Sequence, residues 1–154
     1  MNINFNNKKK VLMVQGLHEE GQKLLLQRDD IEPITIMSAN EDEILKAAKD
    51  VHGITVRTAN ISRKIIENSK NLQVVSRHGV GYDSIDVDAL NDSGIPLAIA
   101  AHSNMISVAE HAMFMLLALS KNVFYYDQFA RKADWTTRWA VSYTHLTLPT
   151  MLWV

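Results

Sequence analysis

The chain of 154 residues has no cysteine. That excludes disulfides, thiolate metal sites and cysteine nucleophiles, and it is compatible with a reducing compartment. It has almost no excess of charge: 16 Lys and Arg stand against 17 Asp and Glu, for a formal −1. No field of one sign points to nucleic acid or a membrane surface. It also lacks a long apolar run. The longest, 112–119, falls far short of the roughly 20 residues that cross a bilayer. The basic start, Lys8-Lys9-Lys10, leads only into Val11-Leu12-Met13-Val14 before Gln15-Gly16. A secretory signal needs an apolar stretch of about 7–15 residues after its charges. These absences lead us to expect a cytoplasmic protein with no nucleic-acid or membrane partner, and residues 1–10 read as a frayed leader.

Hydrophobic residues make up 47% of the chain and charged residues 21%, so a sizeable core can be buried. Short apolar runs alternate with helical patterns. Val11–Val14, Ile34–Met37, Gly53–Val56, Leu72–Val75 and Pro96–Ile99 read as strands. Between them, 17–27 reads as a helix. A second helix starts at Glu41 behind Asn40, with Glu43 at capping-box spacing. A short third follows Ser62, and a helical turn spans 86–91. Continuous apolar strands alternating with helices predict an α/β protein, with a parallel five-stranded sheet covered on both faces.

Ligands of such sheets sit beyond the carboxyl ends of the strands. The loops that leave those ends carry Gly16, Arg57-Thr58, His78-Gly79-Val80-Gly81 and Ala101-His102-Ser103-Asn104. Arg57 there reads either as a solvated charge or as a bidentate grip on a carboxylate or phosphate. Gly79 and Gly81 read as a tight turn or as a close backbone approach to a ligand. They do not make a dinucleotide fingerprint. The third glycine is replaced by Ser84, and no acidic residue stands about 20 positions on. His18, His52, His102 and His145 lack metal-ligand spacing, and no serine sits in a nucleophile elbow. No metal site and no catalytic set is assigned.

From Asn104 the texture changes. Met105–Ser120 is apolar on nearly every side, which predicts a helix buried between domains or subunits. Ser107 and Glu110 have capping-box spacing. His111, inside this helix, reads as a structural histidine.

Four segments taken in order carry a family resemblance: Gly53-Ile-Thr-Val-Arg57-Thr58, Arg77-His-Gly-Val-Gly-Tyr-Asp-Ser-Ile-Asp86, Gly94-Ile-Pro96, and Asn104-Met-Ile-Ser-Val-Ala-Glu-His111. Together, over about residues 10–140, they resemble the NAD-dependent D-2-hydroxyacid dehydrogenases, of which phosphoglycerate dehydrogenase is the best-known member. The resemblance implies a flavodoxin-like substrate-binding domain over 11–103. It implies that residues 104–140 are a crossover helix and the start of a Rossmann domain that is missing from the chain. Backbone at His78, Gly79, Val80 and Gly81 is then expected to cradle a substrate carboxylate, with Arg57, Thr58 and Asn104 lining the pocket. Val80 and His111 are the candidates nearest the cofactor, NAD. The implied partners are a small 2-hydroxy or 2-keto acid and, in the full-length parent, a second copy in a homodimer.

The family's G-x-G-x-x-G and its catalytic arginine, glutamate and histidine have no counterpart here. Residues 141–154 do not resemble the family. Ser-Tyr-Thr-His-Leu-Thr-Leu-Pro-Thr resembles translated sequencing-adapter sequence. A truncated fragment is therefore expected, inactive alone and prone to self-association through its uncovered helix. The alternatives are a module that binds a small acid or a protein without catalysis, and a corepressor of the same superfamily.

Overall fold

The computed structural model describes residues 8–136. The chain divides into two compact units, the first ending at Ser103 and the second beginning at Asn104.

The first unit is α/β. Its elements are β1 (Lys9–Val14), α1 (Glu19–Leu26), β2 (Ile31–Ile36), α2 (Glu41–Ala47), β3 (Gly53–Val56), α3 (Arg63–Asn68), β4 (Val74–Arg77), α4 (Val87–Asp92) and β5 (Leu97–Ile99). All strand pairs are parallel, in the order β2-β1-β3-β4-β5. The chain runs outward from β1 to β2, then returns past β1 to β3. The connection reverses between β1 and β3, which is where a doubly wound sheet opens a crevice.

Four strands differ from the sequence reading: β1 starts at Lys9, so Lys9 and Lys10 pair with β2 rather than belonging to a frayed leader, β5 starts at Leu97, and β2 and β4 are shifted. β2 starts earlier, at Ile31, and includes Pro33. Proline has no N–H to donate, and the position is tolerable because β2 is an edge strand. β4 starts and ends later than 72–75. Leu72 N–H instead closes a turn onto Ser69 C=O, while Ser76 and Arg77 continue the ladder beside Thr55 and Val56.

Helices cover both faces, but unequally. Leu12, Val14, Ile54, Val56 and Val75 alternate onto one face and pack under Ile44 of α2, Ile65 and Ile66 of α3, and Ala89 and Leu90 of α4. On the opposite face α1 leaves a groove of about 590 Å³ beside Val11, Gly53 and Val74. Val74 is accordingly 39% exposed, while its neighbour Val75 is fully buried.

Capping follows the sequence in part. Asn40 Oδ1 accepts from the N–H groups of Asp42 (2.9 Å) and Glu43 (3.3 Å). The reciprocal half of the box is not made, because Asn40 N–H donates to Ser38 Oγ at 3.0 Å. Ser62 occupies the N-cap of α3 without a side-chain cap, and its hydroxyl is engaged with the Glu41 carboxylate.

His52 ties the amino end of β3 to β1. Its N–H donates to Lys10 C=O at 2.8 Å, and its ring Nδ1 accepts from Lys10 N–H at 3.2 Å. Burial, and then the charges of Lys9 and Lys10, hold the imidazole below its ordinary value of 6.5. The unfolded chain therefore takes up this proton first as pH falls. His52 contributes stability that is present above about pH 6.5 and is lost as pH drops below it. We expect thermal midpoints to fall between about pH 7.5 and pH 5.5. His52→Asn, which keeps an acceptor but cannot titrate, should flatten that fall. Equal slopes in the two proteins would remove His52 as the cause.

The second unit contains α5 (Met105–Ser120) and α6 (Val123–Arg131). Asn122, at φ +48°, joins them, and Tyr125 packs on Phe129 with ring centres 5.0 Å apart. α5 is not buried in this chain: of its residues only Ala118 is buried, and Met105, Ile106 and Leu119 are among those left exposed. Ser107 and Glu110 lie inside the helix, so they cannot cap it; the N-cap is Asn104. Among the described residues no helix is long and apolar enough to cross a membrane.

Candidate functional site

Parallel pairing brings the ends of β1, β3, β4 and β5 to one edge of the sheet. Gln15-Gly16, Arg57-Thr58, His78–Gly81 and Ala100 therefore share that edge, as the loop pattern predicts. The first unit holds the site described here. Asn104 and His111 belong to the second unit. Asn104 C=O accepts from Val108 N–H at 2.9 Å, opening α5. His111 is exposed, its ring centre 6.0 Å from that of Phe114. It is therefore not the buried, locally paired histidine that the apolar helix suggested.

The glycine loop after β4 is tightly constrained. His78 N–H donates to Val56 C=O at 2.8 Å, and Gly79 N–H donates to Arg77 C=O at 2.9 Å. Gly79 C=O in turn accepts from Ala100 N–H at 3.1 Å, and the loop is closed further on by the Ile61–Ile85 bridge. These bonds occupy part of the expected cradle. The His78 and Gly79 donors are consumed in holding the loop. The N–H groups of Val80 and Gly81 have no acceptor among the described residues, so these two stay open. Val80 is half-buried and Gly81 exposed, and successive open N–H groups in a turn form a concavity suited to an anion.

Gly79 has φ +152°, which side-chain-bearing residues rarely adopt. A Cβ there would lie 2.5 Å from Arg77 Nη1. The Arg77 guanidinium lies over this glycine and donates to His78 C=O. Its Nε is buried without any acceptor. Arg77 thus adds a positive charge with an unsatisfied donor to the loop. It stands beside the motif in the sequence, yet nothing in its local pattern separates it from a strand-end surface charge.

Arg57 is exposed and has no ion pair or hydrogen bond among the described residues. Most other arginines of the first unit are paired, Arg28 to Asp30 (2.6 Å) and Arg63 to Asp92 (2.8 Å). Thr58 is fully engaged by Gln15. Gln15 Oε1 accepts from Thr58 N–H at 2.7 Å and from Ala59 N–H at 2.9 Å, and Gln15 Nε2 donates to Thr58 Oγ1 at 2.9 Å. Sequence reasoning missed Gln15, because its partners lie more than 40 positions away. Among the described residues no group of His, Asp and Glu is arranged to hold a metal ion.

An unpaired arginine, two unpaired backbone N–H groups and the half-buried Arg77 guanidinium along one edge can hold a small anion. They offer no general base of their own. The described residues also do not form a dinucleotide site. Gly79-x-Gly81 is followed by no helix until Val87, and the second unit has no strand among its described residues.

Comparison with known proteins adds the chemistry. The family model for D-isomer specific 2-hydroxyacid dehydrogenase, catalytic domain, matches residues 11–152, running past residue 140, where the sequence reading ends the resemblance. A D-3-phosphoglycerate dehydrogenase of Methanocaldococcus jannaschii is 33% identical over 127 residues, covering 82% of this chain and 24% of that protein. A hydroxypyruvate reductase of Thermotoga maritima is 33% identical over 108 residues, covering 70% of this chain and 35% of that protein. The solved structure of an NAD-dependent formate dehydrogenase from Staphylococcus aureus in complex with NAD aligns with a TM-score of 0.68 at 26% identity. That alignment covers 85% of this chain and 44% of the other. The chain spans 24% and 35% of the length of these two curated relatives.

Proposed function

The chain belongs to the D-isomer specific 2-hydroxyacid dehydrogenase family, and from that premise we propose that its first unit is the substrate-recognition part of an oxidoreductase. The parent reaction moves a hydride between NAD(H) and a small D-2-hydroxy or 2-keto acid. NAD supplies the hydride chemistry when bound; the residues described here bind and orient the acid. In this reading 11–103 is the substrate domain, and Asn104 opens the crossover into a nucleotide-binding domain. The family resemblance makes Val80 and His111 the candidates for contact with the cofactor. A homodimer of the parent, formed through elements such as the exposed apolar α5, completes the reading.

The observation that carries it is the unpaired Arg57 on the same sheet edge as the unpaired N–H groups of Val80 and Gly81. The substrate carboxylate takes the two N–H groups, and Arg57 faces its charge. Thr58 lines the pocket through its methyl group. His78 contributes its exposed ring at the rim.

Titration of the 154-residue chain with hydroxypyruvate, followed by calorimetry or amide chemical shifts, tests the proposal. We expect weak binding, with Arg57→Ala lowering affinity about tenfold or more, since a hydrogen bond to a charged group contributes about 1.5–3 kcal/mol. Shifts should concentrate at Val80 and Gly81. Absence of binding together with tight self-association would instead favour a protein-interaction role for the exposed α5.

A further inference from the structure

We infer that Gln15 is a positioning residue for the substrate pocket: it clasps the Arg57-Thr58-Ala59 loop across the point where the sheet's connections reverse. This inference rests on the proposed carboxylate site, but its first test does not need a ligand.

Gln15 follows β1 and the clasped loop follows β3, so the contact spans the crevice between the two strands at which the chain changes direction. Its orientation is set by chemistry. Thr58 N–H and Ala59 N–H can only donate, so the side-chain atom facing both must be the carbonyl oxygen. That leaves the amide nitrogen to donate to Thr58 Oγ1. Thr58 Oγ1 also donates to Gln15 Oε1 at 3.1 Å, so four hydrogen bonds to one side chain replace the regular ladder just where β3 stops. Ala59, whose N–H makes one of them, is buried, so water is a poor substitute partner.

The backbone of Gln15 is itself unusual. It has φ +66° and is followed by Gly16 at φ +67°. Glycine takes this left-handed conformation freely, and other residues take it at a cost. Gln15 is held there by its own N–H, which donates to Ile36 C=O at 2.7 Å. A strained residue whose side chain makes a three-point clasp is held for that side chain, and the clasp ends one residue from the unpaired Arg57. The physical consequence is a fixed origin for the Arg57 side chain. Without it, the loop carries its charge over a wider volume and less of it faces the carboxylate.

The experiment compares the wild-type chain with Gln15→Gly and Gln15→Glu. Glycine removes both the clasp and the backbone strain, so folding is not put at risk. Glutamate keeps an oxygen facing the two N–H groups. Amide hydrogen exchange is read first, without ligand. In Gln15→Gly we expect exchange at Thr58 and Ala59 to rise about tenfold or more, with Ile61, bonded to Ser84, as the unchanged reference. Gln15→Glu should restore protection. Unchanged exchange at Thr58 and Ala59 would overturn the clasp, whatever the ligand does. Hydroxypyruvate titration is read second, with a several-fold loss of affinity expected in Gln15→Gly. Faster exchange with unaltered affinity would overturn the positioning role and leave the binding site standing. A wild-type chain that shows protected Thr58 and Ala59 amides but no binding would instead overturn the carboxylate site, and the positioning role with it.

Discussion

Ile54→Ala is expected to be the most damaging single truncation in the first unit. Ile54 is 1% exposed on β3, the central strand of the sheet. It lies opposite Leu12 on β1 and Val75 on β4, on the face under α2, α3 and α4. Three apolar elements meet at its side chain, and none can collapse into the space without moving the sheet. Removal of an isoleucine from such a site costs about 2–5 kcal/mol, as lost transfer energy plus a residual cavity. Domains of this size have about 5–15 kcal/mol in all. One kcal/mol moves the midpoint of a domain of 60–100 residues by about 4–8 °C. A drop of about 10 °C or more in thermal unfolding is expected. Val74→Ala is the internal contrast. Val74 faces the groove and is already 39% exposed, so its truncation should cost less than about 1 kcal/mol. Similar losses at the two positions would contradict the one-sided core.

Gly79→Val is expected to abolish measurable hydroxypyruvate binding while leaving the fold cooperative. The conformation at φ +152° is strained for any side chain and most of all for a β-branched one, at about 1–3 kcal/mol. The added atoms also displace the Arg77 guanidinium from its place over the turn, and with it the contact to His78 C=O. Because Gly79 C=O holds Ala100 and Gly79 N–H holds Arg77 C=O, the turn moves as a unit. The donors of Val80 and Gly81 then point away from their common target. A loss of more than about tenfold corresponds to about 1.4 kcal/mol or more of binding energy. Gly94→Ala separates strain from function. Gly94 also has positive φ, +64°, but a Cβ there meets nothing. It should lower stability and leave binding intact. Retained binding in Gly79→Val would remove the loop from the site.

Much of the first unit is legible along the chain. Gly53–Val56 and Met105–Ser120 have their sequence-predicted bounds, because each is marked at both ends by a change of pattern. Asn40 caps α2 as its side-chain chemistry dictates. Strand ends proved less legible where the boundary residues were polar. Ser76 and Arg77 look like a loop but pair with β3, since a ladder is formed by backbone atoms and tolerates either side chain. The apolarity of α5 is also plain in the sequence, but what covers it is not a local property.

The candidate site divides in the same way. Apolar strands alternating with helices dictate a parallel sheet, and a parallel sheet necessarily delivers Arg57, His78 and Gly79–Gly81 to one edge. The order of motifs dictates the family. Neither dictates which donors remain open. That depends on bonds between residues far apart in the chain: His78 N–H to Val56, Ala100 N–H to Gly79, and Thr58 and Ala59 N–H to Gln15. A backbone N–H looks the same at every position of a sequence. Only the folded chain decides which are used to hold the loops and which, as at Val80 and Gly81, have no acceptor among the described residues.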